Sequence, residues 1–255
     1  MSVDSPSERT VIAVDPARAV QGDRVRVVDL GGQYALLLAR RIRELGVYAE
    51  VVGPEATARD LVEGGRVRAL VLSGGPASVY EPGAPGVDPR VYQLGIPVLG
   101  VCYGMQLMAR DLGGRVRRGE RHEFGRTPIQ VVGPSRLLRG IPPEQLVSWM
   151  SHADVVDEPP PGFSVTASTA STPVAAMEDH QRRLFGVQFH PEVAHTAFGR
   201  ELLRRFLFDV AGLRPGWTVR SFAELAVDQL REQLGQGVAV VAVSGGVDST
   251  TAALL

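Results

Sequence analysis

Three short apolar runs in the first 101 residues each break into a glycine-flanked turn. Val25–Asp29 meets Gly31-Gly32, Arg68–Leu72 meets Ser73-Gly74-Gly75-Pro76, and Pro97–Val101 meets Cys102-Tyr103-Gly104. Between and after them the apolar period changes to that of a helix. Tyr34–Leu45 carries Leu37, Leu38, Ile42 and Leu45 at helical spacing, and Ala56–Glu63 and Gln106–Arg110 read as further helices. Tyr48–Val52 reads as one more strand. Strands that alternate with helices imply crossover connections and a mainly parallel, open α/β sheet with helices on both faces.

The pattern changes between Arg117 and Val187. Short β-like pieces at Thr127–Val132, Leu146–Met150, Ser164–Ala167, Val174–Met177 and Leu184–Gln188 are separated by Pro- and Gly-rich turns. They are expected to pair as antiparallel strands appended to the parallel core. A helix over Gly199–Val210 closes this unit and Gly212–Trp217 reads as a linker. A helix at Phe222–Leu234 and an apolar strand at Val238–Val243 follow. The expected organisation is a flexible leader over 1–22, a main domain over 23–212, and a linker with the start of a second domain over 213–255.

Charge and cysteine usage exclude several classes. The net charge is −1 and all 27 basic side chains are arginine. Nothing in this balance points to a nucleic-acid or anionic membrane partner. One cysteine excludes an intrachain disulfide and fits a reducing cytoplasm. No apolar run approaches the ~18–20 residues needed to span a bilayer, and the polar leader lacks a signal-peptide core.

That cysteine, Cys102, stands in Gly100-Val101-Cys102-Tyr103-Gly104-Met105-Gln106, between a strand and a helix. A G-x-C-x-G turn there resembles a nucleophile elbow. The glycines permit a strained backbone, and the helix start behind the thiol favours its anion. A buried structural cysteine is the plainer alternative. A thiol nucleophile requires a base, and His190 in Gln188-Phe189-His190-Pro191-Glu192 follows the apolar run Leu184–Val187. Glu192, two residues on, can orient the imidazole and stabilise its cation. A satisfied core histidine is the alternative for His190. His122, His180 and His195 carry no assigned role, and no His, Asp and Glu set has metal-ligand spacing.

Cys102 in GVCYGMQ, with His190 and Glu192 in FHPE far downstream, resembles the class I glutamine amidotransferases. The resemblance implies a Cys102–His190–Glu192 triad that hydrolyses glutamine to glutamate and ammonia without a cofactor. It places oxyanion-hole donors at the backbone N–H groups of Gly75 and Tyr103. Within that class, DLGGQY at 29–34, RRIRELGVY at 40–48, WMSHAD at 149–154 and FHPEVAHT at 189–196 look like the glutamine-hydrolysing GMP synthases. Ala153 and Ala194 depart from the expected Gly and Thr, at positions whose side chains the reaction does not use. The resemblance implies that Ser151, His152 and Asp154 contact the α-amino and α-carboxylate groups of glutamine, and that Gln106 lines the same pocket.

Near the end, Ser244-Gly245-Gly246-Val247-Asp248-Ser249 resembles the pyrophosphate loop of the N-type ATP pyrophosphatases. Small residues there expose N–H groups and hydroxyls to phosphate oxygens at a helix start; a simple helix N-cap is the alternative. In cis with an amidotransferase, the loop implies a longer enzyme in which ATP and Mg²⁺ serve the amination of xanthosine monophosphate (XMP) to GMP. That enzyme is expected to be a cytoplasmic homodimer. The chain is then expected to be a fragment, with the rest of the synthetase domain supplied in cis or in trans. Two alternatives remain: a catalytically silent docking or regulatory subunit, and a thiol hydrolase such as a cysteine peptidase on a similar fold.

Overall fold

A computed structural model of the chain describes residues 22–237 and 240–254. The expected leader over 1–22 lies outside them, apart from Gly22. Asp23–Gly216 forms one compact unit, and Trp217 onward belongs to another.

The larger unit is built on an eight-stranded sheet. Its strands are β1 (Arg24–Val28), β2 (Tyr48–Val52), β3 (Val67–Leu72), β4 (Val98–Val101), β6 (Gln130–Val131), β8 (Ser164–Ser168), β9 (Ala176–Asp179) and β10 (Leu184–Val187), in the order β2-β1-β3-β4-β10-β9-β8-β6. Pairs β1–β2, β1–β3, β3–β4 and β4–β10 are parallel, and β9, β8 and β6 continue the sheet antiparallel. The expectation of antiparallel strands after Arg117 needs one correction. β10 is a central strand, parallel to β4 with Val187 beside Val101. Its four residues are all buried, and a strand covered on both faces shows no alternation that would mark its direction.

A separate ribbon pairs β5 (Arg115–Pro128) with β7 (Val147–Glu158). Most of β5 shows no strand-like alternation in sequence, because its middle is Arg118-Gly119-Glu120-Arg121-His122 and is interrupted by a register shift.

Helices cover both faces. α1 (Ala35–Glu44) packs Ala35, Leu38 and Ile42 into one core together with Leu202, Leu203 and Phe206. Those last three residues come from α3 (Gly199–Arg204) and its π-helical continuation Arg205–Val210. The opposite face takes Leu107 and Met108 of α2 (Tyr103–Asp111), with Leu61, Val91 and Tyr92. The expected helix at Ala56–Glu63 is only a 3₁₀ turn, Asp60–Val62. Thr57 and Asp60 bond each other's backbone N–H and side chains, and Gly64 and Gly65 follow with positive φ, so the segment closes after one turn.

Residues 213–216, after Gly212, still belong to this unit. Leu213 is buried, and the Gly216 N–H donates to the Gly46 carbonyl at 2.8 Å.

The second unit contains α4 (Val219–Leu234) and α5 (Val247–Leu254). Of the strand expected at Val238–Val243, residues 238 and 239 lie outside the described residues. Residues 240–243 are not in a strand, and Val240 is 95% exposed. A strand is stable only against a neighbour, and none pairs with this segment among the described residues.

Candidate active site

The turns that follow β1, β3, β4 and β10 converge at the carboxyl edge of the parallel sheet, where α/β sheets present their ligand sites. Ser73, at the end of β3, ties them together. Its N–H donates to Val28 O at 3.1 Å, its hydroxyl accepts from Leu30 N at 2.9 Å, and its carbonyl accepts from Gly104 N at 3.0 Å. A cavity of about 470 Å³ opens above this edge. Its lining includes Gly31–Tyr34, Gly74–Ser78, Cys102, Gln106, Phe124, Ser151–Asp154 and His190.

Cys102 sits between β4 and α2 with φ 51° and ψ −106°, and is 5% exposed. Its N–H donates to Val187 O at 2.8 Å, which locks the turn to β10. Glycines make the turn possible. A Cβ on Gly104 would strike Leu72 O, and one on Gly100 would lie 2.6 Å from Gly104 O. The Cys102 sulfur accepts from Gln188 Nε2 at 3.5 Å and lies 3.8 Å from Ser151 O.

His190 Nδ1 faces Glu192 Oε1 at 2.7 Å, and the ring lines the cavity together with Cys102. Burial works against a charge on this imidazole. Cys102 and Glu192 beside it outweigh burial and push its pKa up to about 10. The strand end is pinned from several sides. His190 N–H donates to Trp149 O at 3.1 Å, and the Thr196 hydroxyl donates to His190 O at 2.6 Å and accepts from Trp149 N at 3.0 Å. Arg41 Nε donates to Glu192 O at 2.9 Å, and the Tyr34 ring meets the His190 ring edge-on at 5.2 Å.

Gly75 packs so closely that a Cβ would lie 2.5 Å from Leu30 O and 3.2 Å from the Tyr103 ring. Tyr103 is the first residue of α2, so its amide has no partner within the helix. The two N–H groups expected to serve as oxyanion donors therefore belong to residues packed against each other beside Cys102.

The four residues expected around a glutamine substrate all line the cavity. Ser151 is exposed, whereas the other three are buried. Gln106 Nε2 donates to Asp154 O at 2.8 Å, and His152 Nδ1 donates to the same carbonyl at 3.0 Å. The Asp154 carboxylate accepts from the Tyr80 hydroxyl at 2.8 Å. His152 Nε2 lies 3.3 Å from Glu123 Oε2. Glu123 is its cross-strand partner on β5 and also accepts from the hydroxyls of Thr169, Ser171 and Thr172. Burial raises the Glu123 pKa, but the His152 ring and the three hydroxyls overcome it and bring it down to about 2. His152 Nδ1 is thus committed to the Asp154 carbonyl, and residues 151–154 line the cavity.

Gln188 and Glu123 were not among the residues expected from sequence. Gln188 lies two residues before His190, in the same string, so its position was visible, although its amide gave no sign of reaching the sulfur. Glu123 stands in a charged run that reads as solvated surface. Of the unassigned histidines, His180 bonds Glu178 at 2.6 Å, His195 packs on Trp149, and His122 lies edge-on to Phe124. No group of three or more His, Cys, Asp or Glu among the described residues can hold a metal ion.

The Ser244–Ser249 loop lies in the second unit. Ser244 Oγ and Ser249 Oγ are 3.0 Å apart, Ser244 N donates to Ser249 Oγ at 3.2 Å, and Gly245 has φ 84°.

A model of the glutamine amidotransferase class-I family matches residues 26–210. The chain is 52% identical over 232 residues to a GMP synthase (glutamine-hydrolyzing) of Carboxydothermus hydrogenoformans, covering 91% of this chain and 45% of that protein. It is 53% identical over 236 residues to one of Symbiobacterium thermophilum, covering 92% and 46%. The chain spans about half the length of the curated relatives it matches. Among solved structures, a GMP synthase subunit protein from Thermoplasma acidophilum superposes with a TM-score of 0.64 at 28% identity. The match covers 84% of this chain and 98% of that one. A glutamine amidotransferase of Thermotoga maritima, 24% identical with a TM-score of 0.53, shares the fold; it covers 85% of this chain and 98% of its own. This chain belongs to the class I glutamine amidotransferase family.

Proposed function

We propose that the chain hydrolyses glutamine to glutamate and ammonia, with Cys102 as nucleophile, His190 as general acid and base, and Glu192 holding the imidazole. The observation that carries this reading is the buried Cys102–His190–Glu192 line at the floor of an open cavity. The Cys102 thiolate attacks the side-chain amide carbon of glutamine, and the carbonyl oxygen becomes an oxyanion. The N–H groups of Gly75 and Tyr103 stabilise it, the role such donors play in acyl transfer. His190 gives its proton to the amide nitrogen, the C–N bond breaks and ammonia leaves. Neutral His190 then takes a proton from water, which attacks the thioester, and glutamate departs as the C–S bond breaks.

Substrate recognition falls to the 151–154 stretch and Gln106. His152 and Gln106 act by fixing the Asp154 carbonyl, while Ser151 and the Asp154 carboxylate meet the α-amino and α-carboxylate groups. The reaction calls for no cofactor.

We further infer that the ammonia serves the ATP-dependent amination of XMP to GMP in a longer, cytoplasmic and homodimeric enzyme. The similarity of this chain to about half of each glutamine-hydrolysing GMP synthase supports this. The Ser244–Ser249 loop fits such a role. Its converging hydroxyls and positive-φ glycine before α5 suit phosphate oxygens, and Gly245, Gly246, Val247 and Asp248 complete the loop. ATP with Mg²⁺ bound there would supply activation of the acceptor, with Mg²⁺ on the pyrophosphate. No helix among the described residues is long and apolar enough to cross a membrane.

The test is trapping and turnover together. A diazoketone analogue of glutamine is expected to label Cys102, with glutamine protecting it, and Cys102→Ala is expected to release no ammonia above background. Absence of labelling, or equal ammonia release from both proteins, would overturn the reading in favour of a silent docking subunit.

A further inference from the structure

A second polar chain reaches the Cys102 sulfur. It begins at the Asp154 main-chain carbonyl, which can only accept. Two donors meet there, His152 Nδ1 at 3.0 Å and Gln106 Nε2 at 2.8 Å, and together they fill its two lone pairs. That fixes which end of the Gln106 amide is the nitrogen. The second hydrogen on the same nitrogen points to Gln188 Oε1 at 3.1 Å. The far end of the Gln188 amide must then be its NH₂, and this group lies 3.5 Å from Cys102 Sγ. Turning Gln106 over would set its oxygen against the Asp154 and Gln188 oxygens, and turning Gln188 over would set its NH₂ against that of Gln106.

The backbone of Gln188 is equally fixed. It is wholly buried, and its N–H donates to Ala175 O at 2.9 Å, beyond the end of β10. Val187, just before it, accepts the Cys102 N–H. Gln188 and His190, spaced two apart on extended chain, thus both face the same sulfur.

We propose that Gln188 is a positioning residue for the nucleophile: its amide N–H, oriented through Gln106 by the Asp154 carbonyl, holds the Cys102 sulfur in line for attack and stabilises its anion. This rests on Cys102 being the nucleophile. Without a donor on this side, the sulfur can swing about its Cα–Cβ bond. Such a donor removes that freedom, and it also favours the charged form, because a hydrogen bond to an anion is stronger than one to a neutral group. The chain also joins the substrate pocket to the thiol, since any ligand that shifts Asp154 shifts the acceptor that orients both amides.

The test uses the single cysteine of this chain, which makes alkylation site-specific. Iodoacetamide modification without glutamine is followed across pH for wild type, Gln188→Met, Gln188→Glu and Gln106→Met. Gln188→Met is expected to move the midpoint of the profile up by about one pH unit, the tenfold change that loss of one charge-assisted hydrogen bond represents. Gln188→Glu, which sets a carboxylate beside the sulfur, is expected to move it further. Gln106→Met is expected to move it in the same direction with residue 188 intact, and it decides the matter if the Gln188 variants do not fold. In ammonia release, Gln188→Met should lower kcat about tenfold with KM within twofold. Profiles that coincide with wild type, with only thermal stability reduced, would overturn the proposal and leave Gln188 as a core amide. If the profiles shift and no variant, wild type included, releases ammonia, the glutaminase reading fails and the positioning role stands.

Discussion

His190 Nδ1 lies 2.7 Å from Glu192 Oε1, with one proline between the two residues. Pro191 restricts the backbone, so a carboxylate two residues on folds back onto the ring that precedes it. Nδ1 is thereby held as the donor and Nε2 is left for Cys102. Glu192→Gln removes the charge and keeps the shape. Its kcat for glutamine hydrolysis is expected to fall by about 10²-fold, within the range of acid–base contributions, with KM little changed. Steady-state ammonia release checks this. A fall in kcat/KM through KM alone would mean that the carboxylate serves binding.

The raised pKa of His190, about 10, has a definite sign in stability. Below the unfolded value near 6.5, folded and unfolded chains both carry the proton and the stabilisation is complete. Above it only the folded chain keeps the proton. Stability therefore falls with rising pH and this contribution is gone once pH passes about 10. Urea unfolding between pH 6.5 and 10 is expected to show this decline in wild type and to lose it in His190→Gln. Cys102→Ala removes a group that raises the pKa, so the imidazole signal followed by NMR should titrate at lower pH than in wild type.

Gly74 packs against both His190 and Cys102. A Cβ there would stand 3.0 Å from His190 Cε1 and 3.7 Å from Cys102 Cβ. Gly74→Ala is expected to tilt the imidazole by a few tenths of an ångström and to lower kcat at least tenfold while the protein still folds, since small misplacements of reacting groups are costly. Gly104→Ala meets the Leu72 carbonyl instead and is expected to unfold the elbow, lowering Tm by several degrees. Thermal melts beside activity measurements separate the two.

Glu123 has the opposite linkage. Its pKa near 2 lies below the usual carboxylate value, so its stabilisation is complete above about 4.5 and is lost as pH falls through about 2. Wild type is expected to lose stability steadily between pH 4.5 and 2, and Glu123→Gln to start lower and lose less over that interval. Denaturant midpoints measured at pH 2.5, 3.5 and 5 decide it.

The parallel half of the sheet was legible in sequence because β1, β2, β3 and β4 are short apolar runs with turns after them, and Leu38 and Ile42 keep a helical period. Elements whose shape depends on distant partners were not. β5 reads as charged surface, because Arg117 and Glu123 find counter-charges or hydroxyls only after folding, as Arg117 does with Asp157 at 2.8 Å. β10 reads as one more appended strand because burial on both faces erases its alternation. Val240–Val243 has strand composition but pairs with no strand among the described residues. At the site, Cys102, His190 and Glu192 stood out through spacing, whereas Gln188 and Glu123 act through hydrogen bonds that only the assembled sheet brings within reach.

The backbone at Cys102, with φ 51° and ψ −106°, lies where side-chain-bearing residues rarely rest, at a typical cost of about 1–3 kcal/mol. Glycine alone would relax there. A library of variants at this position sorted for thermal stability should therefore rank glycine above the native residue, and one sorted for ammonia release should return cysteine alone. Position 102 is a point where the interests of folding and of chemistry diverge, and the thiol persists there only as long as its product is wanted.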